Sequence, residues 1–208
     1  EEISGQMFIT DPSTGHISCE VKGSGKTEVK RAVLSARKAF KTWSVLSGSE
    51  RGRILGDASR LVRKRREDIA KVEVHDNGIK LLRINPLIDL TRVRVDRYGS
   101  FRGAQSKDRF RRSGGGGWIL CIGAWNYPIQ TACWKIAPAI ACGNTIVYKP
   151  SPLTPMNAVA LADILTEAGV PPGVVNIIQG GGETGEMLSK DPNVAKVSFT
   201  GSVSTGQK

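Results

Sequence analysis

Apolar residues recur with the spacing of helices in the first part of this chain, and past its middle they also form short runs typical of strands. Between residues 27 and 43 they recur three or four positions apart, which predicts an amphipathic helix with one buried stripe. A second helix is predicted to begin at Ser49-Glu50 and to end at Asn77-Gly78. Residues 1–23 precede both helices as an irregular or β-strand lead-in with a turn at Asp11-Pro-Ser-Thr-Gly15.

Short apolar strands alternate with helices in the second half. The predicted strands cover residues 118–122, 145–148, 174–178 and 196–199. The predicted helices cover residues 129–142, 154–168 with Thr154 as N-cap and Pro155 as the first helical residue, 183–189, and a start at Gly201-Ser202. This alternation with short links predicts an α/β fold, in which a parallel Rossmann-like sheet with flanking helices follows an N-terminal helical segment.

The chain divides into three predicted parts. Residues 1–78 form a lead-in and helices that pack on the rest, 79–117 form a divergent basic and glycine-rich segment, and 118–208 form a βαβ domain. Pro86 and the later glycines interrupt any long element in the middle part. We therefore expect the functional chemistry to lie in the third part.

Much of the net charge of +11 lies between Arg92 and Arg112. A basic stretch can bind nucleic acid through phosphate contacts, but no signature of a nucleic-acid-binding fold accompanies this one. A solvated loop explains the same charges without a partner. We favour the solvated loop and keep nucleic-acid binding as an alternative, which the salt dependence of oligonucleotide binding tests.

The cysteines lack the spacing of a metal site or of a disulfide framework. We expect no metal, and buried, reduced thiols in a cytoplasmic protein. No apolar run approaches the length of a membrane span, so no membrane partner is expected, and the first residues do not resemble a signal peptide. The chain does not begin with Met, which predicts a processed, recombinant or partial form. The four cysteines are Cys19, Cys121, Cys133 and Cys142.

Two polar side chains follow the first two predicted strands, at the edge where open α/β sheets bind ligands. Asn126 lies between two aromatic residues and is placed to donate a hydrogen bond, as an oxyanion requires. An Asn in a turn also bonds its own backbone. Lys149 follows the next strand, where a cation holds ribose hydroxyls or phosphate, or is simply solvated.

Glycine-containing turns follow the other two strands. Gly180-Gly-Gly-Glu-Thr-Gly185 fits the pattern G-x-G-x-x-G, but the next strand lacks the acidic residue of a dinucleotide fingerprint. A plain tight turn fits equally well. Thr200-Gly-Ser202 opens a helix, whose free N–H groups favour a pyrophosphate, although Ser202 also serves as an ordinary N-cap.

A series of residue runs resembles, in order and spacing, the NAD(P)-dependent aldehyde dehydrogenase family, and within it the 4-trimethylaminobutyraldehyde and betaine-aldehyde group. Residues 11–78 resemble the family's N-terminal helices more loosely. The runs that carry the resemblance are Gly-Ala-Trp-Asn-Tyr-Pro (123–128), Trp-Lys-Ile-Ala-Pro-Ala (134–139), Ala-Cys-Gly-Asn-Thr (141–145), Lys-Pro-Ser-Pro-Leu-Thr-Pro (149–155), Glu-Ala-Gly-Val-Pro-Pro-Gly (167–173) and Val-Ser-Phe-Thr-Gly-Ser (197–202).

The resemblance implies roles for particular residues. Asn126 would be the amide donor to the oxyanion that forms when a cysteine thiolate attacks an aldehyde. The cofactor would be NAD, with NADP as the alternative. The implied cofactor contacts are the adenosine ribose for Lys149, the adenine for Gly182, the pyrophosphate for Gly201 and Ser202, and the wall of the cofactor channel for Trp125.

The activity implied for the parent protein is NAD-dependent oxidation of an aldehyde, such as an aminoaldehyde or a betaine-type aldehyde, to a carboxylic acid. None of the four cysteines matches the family's nucleophile, and its general-base Glu has no match. We therefore expect this chain to bind dinucleotide weakly and to be inactive alone. The family also implies a homo-oligomer, although residues 79–117 do not match its oligomerisation hairpin. A non-catalytic nucleotide-binding fragment or relic is the alternative.

Overall fold

The computed structural model describes residues 5–79 and 117–207 of the 208-residue chain. Its strands are β1 (Gln6–Thr10), β2 (Ile17–Lys22), β3 (Trp118–Ile122), β4 (Thr145–Lys149), β5 (Val175–Ile177) and β6 (Val194–Phe199). Its helices are α1 (Lys26–Trp43), α2 (Gly48–Lys64), α3 (Arg66–Asn77), α4 (Pro128–Ala141), α5 (Met156–Glu167), α6 (Gly182–Ser189) and α7 (Val203–Gly206). The basic stretch from Arg92 to Arg112 lies outside the described residues. Within the two described ranges, no helix has both the length and the apolar composition that crossing a membrane requires.

The lead-in is an antiparallel hairpin of β1 and β2. Its turn confirms the prediction, since the Asp11 carboxylate accepts hydrogen bonds from Ser13 N at 2.8 Å and from Ser13 Oγ at 2.6 Å, and Gly15 has a φ of 73°. The turn packs on the end of α3, because a Cβ on Gly78 would lie 2.5 Å from Pro12 Cγ.

The helix predicted from residue 27 is confirmed as α1. Its first turn is held by the Glu28 carboxylate, which accepts a hydrogen bond from Gly25 N at 2.9 Å. The predicted apolar stripe is buried, with Val33, Ala36 and Trp43 each at most 5% exposed. Tertiary burial of this stripe therefore stabilises the helix.

The second predicted helix is wrong as one continuous element, because α2 and α3 meet at Arg65. α2 begins earlier than predicted, with Ser47 as its N-cap, whose Oγ accepts from Glu50 N at 3.2 Å. Arg65 leaves helical geometry, with φ of −99° and ψ of 20°. Its guanidinium pairs with Glu167 at the end of α5. The break accompanies a contact between residues distant in sequence, which the local pattern cannot show.

The second half of the chain forms a four-stranded parallel sheet in the order β5-β4-β3-β6, which confirms the predicted fold class. The register pairs Ile122 of β3 with both Lys149 and Phe199, so the carboxyl ends of β4 and β6 flank that of β3. β5 joins through the pair Tyr148–Ile177. The loops that follow these strands therefore leave from the same edge of the sheet.

The N-terminal helices share one core with the sheet. Trp43 is fully buried, and its indole N–H donates to Ile140 O at 2.9 Å. Thr145 Oγ1 at the start of β4 donates to Ala36 O at 2.9 Å. One hydrophobic cluster includes residues from five of the helices, for example Trp43, Leu55, Ile69, Ile136 and Leu161. Helices α1 to α3 thus pack directly on the second half, and the division into three parts stays a prediction.

The predicted start of the helix after β4 is wrong in its capping. α5 begins at Met156 with Pro155 as the N-cap residue, and Thr154 Oγ1 is buried without a hydrogen-bond partner among the described residues. Asp76 of α3 provides the cap, because its Oδ2 accepts from Met156 N at 2.9 Å and from Asn157 N at 3.2 Å. A carboxylate is favoured there by the positive end of the helix dipole.

The four cysteines are free thiols. Cys121 and Cys133 are buried as expected, whereas Cys19 and Cys142 are partly exposed. In the part of the chain that the structure describes, no group of three or more His, Cys, Asp or Glu is arranged to hold a metal ion.

Gly173 sets the approach of α1 to the loop before β5. Its φ is 86°, and a Cβ there would lie 2.8 Å from Ser35 Oγ and 2.9 Å from Ser35 O, whereas Gly169, with φ of 94°, has open space around it. We expect Gly169→Ala to cost about 1 kcal/mol through backbone strain, and Gly173→Ala about 2–4 kcal/mol because overpacking is added. Urea unfolding measures both variants. Equal losses would show that α1 moves aside at no cost.

Candidate functional site

Backbone hydrogen bonds hold neighbouring loops together at the carboxyl edge of the sheet. Gly123 N donates to Lys149 O at 2.9 Å, and Thr200 N donates to Ile122 O at 3.1 Å. The loops after β3, β4 and β6 therefore begin side by side. Asn126 lies in the loop after β3 and Ser202 in the loop after β6, and Lys149 is the last residue of β4.

Lys149 lies beneath the glycine turn. It is 5% exposed, and its Nζ donates to Gly180 O at 2.7 Å and to Pro150 O at 3.0 Å. Its Cε lies 3.4 Å from where a Cβ on Gly185 would be. Burial lowers the pKa of the ammonium to about 8. The side chain thus brings a cation to the inner side of the turn and is not a solvated strand-end lysine.

Asn126 lies on an exposed loop between β3 and α4. The loop can leave the sheet closely because residue 123 is a glycine; a Cβ there would collide with the Tyr148 hydroxyl. Trp125, Asn126 and Tyr127 are all exposed, and Trp125 is 57% exposed. Asn126 is therefore accessible from outside the protein.

The glycine turn is tied to the N-terminal part of the chain. Ser24 N donates to Gln179 O at 2.9 Å, and Thr184 Oγ1 donates to Ser24 O at 3.1 Å. Gly182 begins α6 and is exposed, and no atom lies within 4 Å of where its Cβ would be. The space above the predicted adenine position is thus open.

Ser202 serves as the N-cap of α7, since its Oγ accepts from Thr205 N at 3.2 Å. Its hydroxyl also lies 2.8 Å from Thr205 Oγ1. Gly201 lies against the ring of Phe199, where a Cβ would collide. Both residues are exposed and follow the strand next to β3. Ser202 therefore forms the ordinary N-cap that the sequence offered as the alternative to pyrophosphate binding.

Two buried carboxyl groups on α3 were missed from the sequence. Glu73 is 1% exposed and Asp76 is 4% exposed. Glu73 Oε2 and Asp76 Oδ1 have no hydrogen-bond partner among the described residues. Burial raises the pKa of Glu73 to about 8 and that of Asp76 to about 6. Both lie on the apolar stripe of α3 that includes Ile69 and Ala70. Acidic residues at buried helical positions were the signal that could have revealed them.

The C-terminal end of α4 is held by a buried cation. Arg51 of α2 is 2% exposed, and its Nε donates to Ala141 O, the last residue of α4, at 2.9 Å. Its guanidinium also bonds Leu46 O. α4 thus has a guanidinium at its C-terminus, where the helix dipole favours a positive charge.

The model of the aldehyde dehydrogenase family matches residues 1–208. The chain is 44% identical over 216 residues to 4-trimethylaminobutyraldehyde dehydrogenase from Sus scrofa, covering 100% of this chain and 44% of that protein. It is 46% identical over 209 residues to 4-trimethylaminobutyraldehyde dehydrogenase A from Danio rerio, covering 96% of this chain and 41% of that protein. The chain therefore spans less than half the length of these relatives.

Solved structures match the fold. Betaine aldehyde dehydrogenase from Staphylococcus aureus, in complex with NAD+, aligns with a TM-score of 0.87 at 28% identity and covers 98% of this chain and 43% of its own. A NAD-dependent benzaldehyde dehydrogenase from Corynebacterium glutamicum aligns with a TM-score of 0.89 at 27% identity, with 98% and 47% covered. The described folding units thus recur in these larger chains.

Proposed function

We propose that this chain, which belongs to the aldehyde dehydrogenase family, forms the cofactor-binding part of an enzyme that oxidises an aldehyde to a carboxylic acid with NAD. The observation that carries the proposal is the position of Asn126, Lys149 and the glycine turn on adjoining loops at one edge of a parallel sheet. Nucleotides bind at this edge in open α/β folds.

The residues at this edge fit a dinucleotide. Gly181 and Gly182 are exposed with open space around them, so a ligand can approach the backbone at the start of α6 closely. The Lys149 ammonium supplies positive charge directly below. Bound NAD supplies the hydride acceptor. We assign NAD and not NADP because the two solved relatives are NAD-dependent or contain NAD+.

The remaining assigned contacts complete the same site. Trp125 would form a wall of the cofactor channel, and Gly201 with Ser202 would meet the pyrophosphate. Ser202 Oγ would retain its capping bond, because a hydroxyl oxygen that accepts one hydrogen bond still carries its own proton to donate.

The catalytic residue that we assign in this chain is Asn126, whose amide N–H would donate to the oxyanion formed on the substrate carbonyl. The nucleophile would come from a cysteine that this sequence does not contain. Burial raises the pKa of Cys121 to about 12 and that of Cys133 still further, so neither thiol ionises near neutral pH.

The named relatives act on 4-trimethylaminobutyraldehyde and betaine aldehyde. We propose an aldehyde of this aminoaldehyde or betaine type as the substrate of the whole protein, which we place in the cytoplasm as a homo-oligomer. The second candidate function is non-catalytic nucleotide binding, which is favoured by the absence of an ionisable thiol from the buried core.

Stabilisation by NAD tests the proposed site. A ligand bound only by the native state stabilises it by about 2.7 kcal/mol at a concentration of 100 Kd. We expect NAD to raise the Tm of this chain, and Lys149→Ala to remove most of that increase. Lys190→Ala is the matched control, because Lys190 is exposed at the end of α6 and pairs with Glu186. An equal NAD-dependent increase in both variants would remove Lys149 from the site.

A further inference from the structure

We propose that a groove between α1 and the end of α6 binds a single-chain organic anion, a molecule with one acidic head group and an apolar tail. The groove has a volume of about 490 Å³, which lies within the range of small-molecule sites. One wall is formed by α1 from Lys26 to Arg37, and the other by Met187, Lys190 and the turn before β6.

The groove lies at the amino edge of the sheet. Asn193 in its wall directly precedes Val194, the first residue of β6, which pairs with Trp118 at the start of β3. The loops that carry the proposed nucleotide contacts leave from the other ends of these strands. The groove is therefore separate from the proposed NAD site, and its binding of a ligand does not depend on the proposed function.

The floor of the groove is apolar. Val29 and Val33 of α1 are 7% and 5% exposed, and they belong to the same hydrophobic cluster as Leu188 of α6. Leu34, which is 53% exposed, and the half-buried Met187 also line the groove. An alkyl chain that covers these side chains removes apolar surface from water, which favours a ligand with an apolar tail.

The rim of the groove carries an excess of positive charge. Lys26, Lys30 and Arg37 line it from α1, and none of them forms an ion pair within residues 5–79 and 117–207. Of the described residues in the walls only Asp191 is acidic, and its Oδ1 accepts hydrogen bonds from Asn193 N at 2.8 Å and from Asn193 Nδ2 at 3.0 Å. The charge of the groove therefore complements an acidic head group.

The apolar floor and the basic rim together select the class of ligand. An inorganic anion would meet the cations but leave the floor in water, and a flat bilayer would not reach the buried side chains of Val29 and Val33. An acidic peptide would bring charged side chains onto the floor, where they would lose hydration. A carboxylate, sulfate or phosphate on one alkyl chain fits both parts of the groove.

Titration of this chain with decanoate tests the proposal, with amide chemical shifts as the measurement. We expect saturable shifts at Leu34, Met187 and Asn193, and a Kd that rises with salt concentration because the cations of the rim are exposed. Decyltrimethylammonium has the same tail with a positive head group, and acetate has the carboxylate without the tail. Both should bind at least about tenfold more weakly than decanoate.

Substitutions test the rim and the floor separately. Lys30→Gln combined with Arg37→Gln should raise the Kd about threefold to tenfold, the scale of two lost contacts between exposed charges. Leu34→Ser should raise it about threefold through lost apolar contact. Arg63→Gln combined with Lys64→Gln removes the same two charges from exposed positions on α2 and should leave the Kd unchanged. All these side chains are exposed, so the fold should be retained.

Absence of saturable shifts at the groove residues, equal binding of the anionic and cationic amphiphiles, or a wild-type Kd in the Lys30 and Arg37 double variant would overturn the proposal. Tighter binding of hexaglutamate or of anionic lipid vesicles than of decanoate would also overturn it. NAD should leave the decanoate shifts in place, and displacement of decanoate by NAD would assign it to the nucleotide site instead. Failure of NAD to bind would contradict the proposed function alone, because the groove lies at the other edge of the sheet.

Discussion

Replacement of Asn126 by alanine is expected to lower turnover by about a hundredfold or more in an enzyme form that carries a nucleophilic cysteine. Such a form can be made by joining this chain to the remaining part of a 4-trimethylaminobutyraldehyde dehydrogenase. The reason is that a preorganised amide donor stabilises negative charge as it develops on the substrate oxygen. Because Asn126 is exposed on a loop, its removal creates no cavity, and stability should change little. Steady-state kinetics measure the effect on kcat.

Two companion variants sharpen this test. Asn126→Asp keeps the size of the side chain but replaces the donor by a carboxylate, so it should be at least as damaging as alanine. Asn193→Ala, at an exposed turn before β6, should leave turnover unchanged. A rate for Asn126→Ala within a fewfold of the wild type would exclude Asn126 from the chemistry.

Stability is expected to fall as the pH rises from about 4 to 8. The native pKa of Glu73 is about 8 against an ordinary 4.5, and that of Asp76 is about 6 against 3.8. Between the two values of each group, the native state holds a proton that the unfolded state has lost. Each group therefore favours unfolding with rising pH, by about tenfold in the unfolding equilibrium constant per pH unit within its window.

Single substitutions show how much of this pH dependence comes from each of the two carboxyl groups. Between pH 6 and 8 only Glu73 of the two carries the effect, so Glu73→Gln should flatten this range and make the protein more stable than wild type at pH 8. Asp76→Asn should reduce the slope by about half below pH 6, where Glu73 continues to contribute. Glu67→Gln should retain the wild-type slope, because Glu67 is exposed. Urea unfolding across pH measures all three, and a Glu73→Gln slope equal to that of wild type would show that Glu73 ionises normally.

The sheet could be predicted from the sequence because its strands are short, apolar and separated by helices. The strands predicted over residues 118–122 and 145–148 are confirmed as the buried strands β3 and β4, since a parallel sheet hides both faces. The turn at Asp11–Gly15 was equally local, because its hydrogen bonds join residues within five positions. Where the stabilising contacts are local, the sequence pattern was sufficient.

The errors arise where a distant residue determines the local structure. Thr154 had the character of an N-cap, but the cap of α5 is formed by Asp76, which lies eighty positions before Met156. The break at Arg65 accompanies an ion pair with Glu167. Periodicity records which side of a helix is buried, but it contains no information on which buried group meets which helix end.

The candidate site shows the same division. The strand-end positions of Asn126 and Lys149 were predictable, because parallel strands expose their carboxyl ends at one edge. The hydrogen bond between Lys149 and Gly180 was not, since it depends on how closely the glycine turn folds over β4. The buried acids of α3 were overlooked because a charged residue in a sequence suggests a solvated surface.

The hydrogen bonds between Ser24 and the glycine turn decide whether the part of the chain from Trp118 onward could be transferred to another protein. A polypeptide that begins at Trp118 would keep every residue assigned to ligand binding. It would lose the hydrogen bonds that Ser24 makes with Gln179 and Thr184. It would also lose the Asp76 carboxyl at the start of α5 and the Arg51 guanidinium at the end of α4. The segment proposed to bind nucleotide therefore cannot be transferred to another protein by itself, because it needs helices α1 to α3 as well.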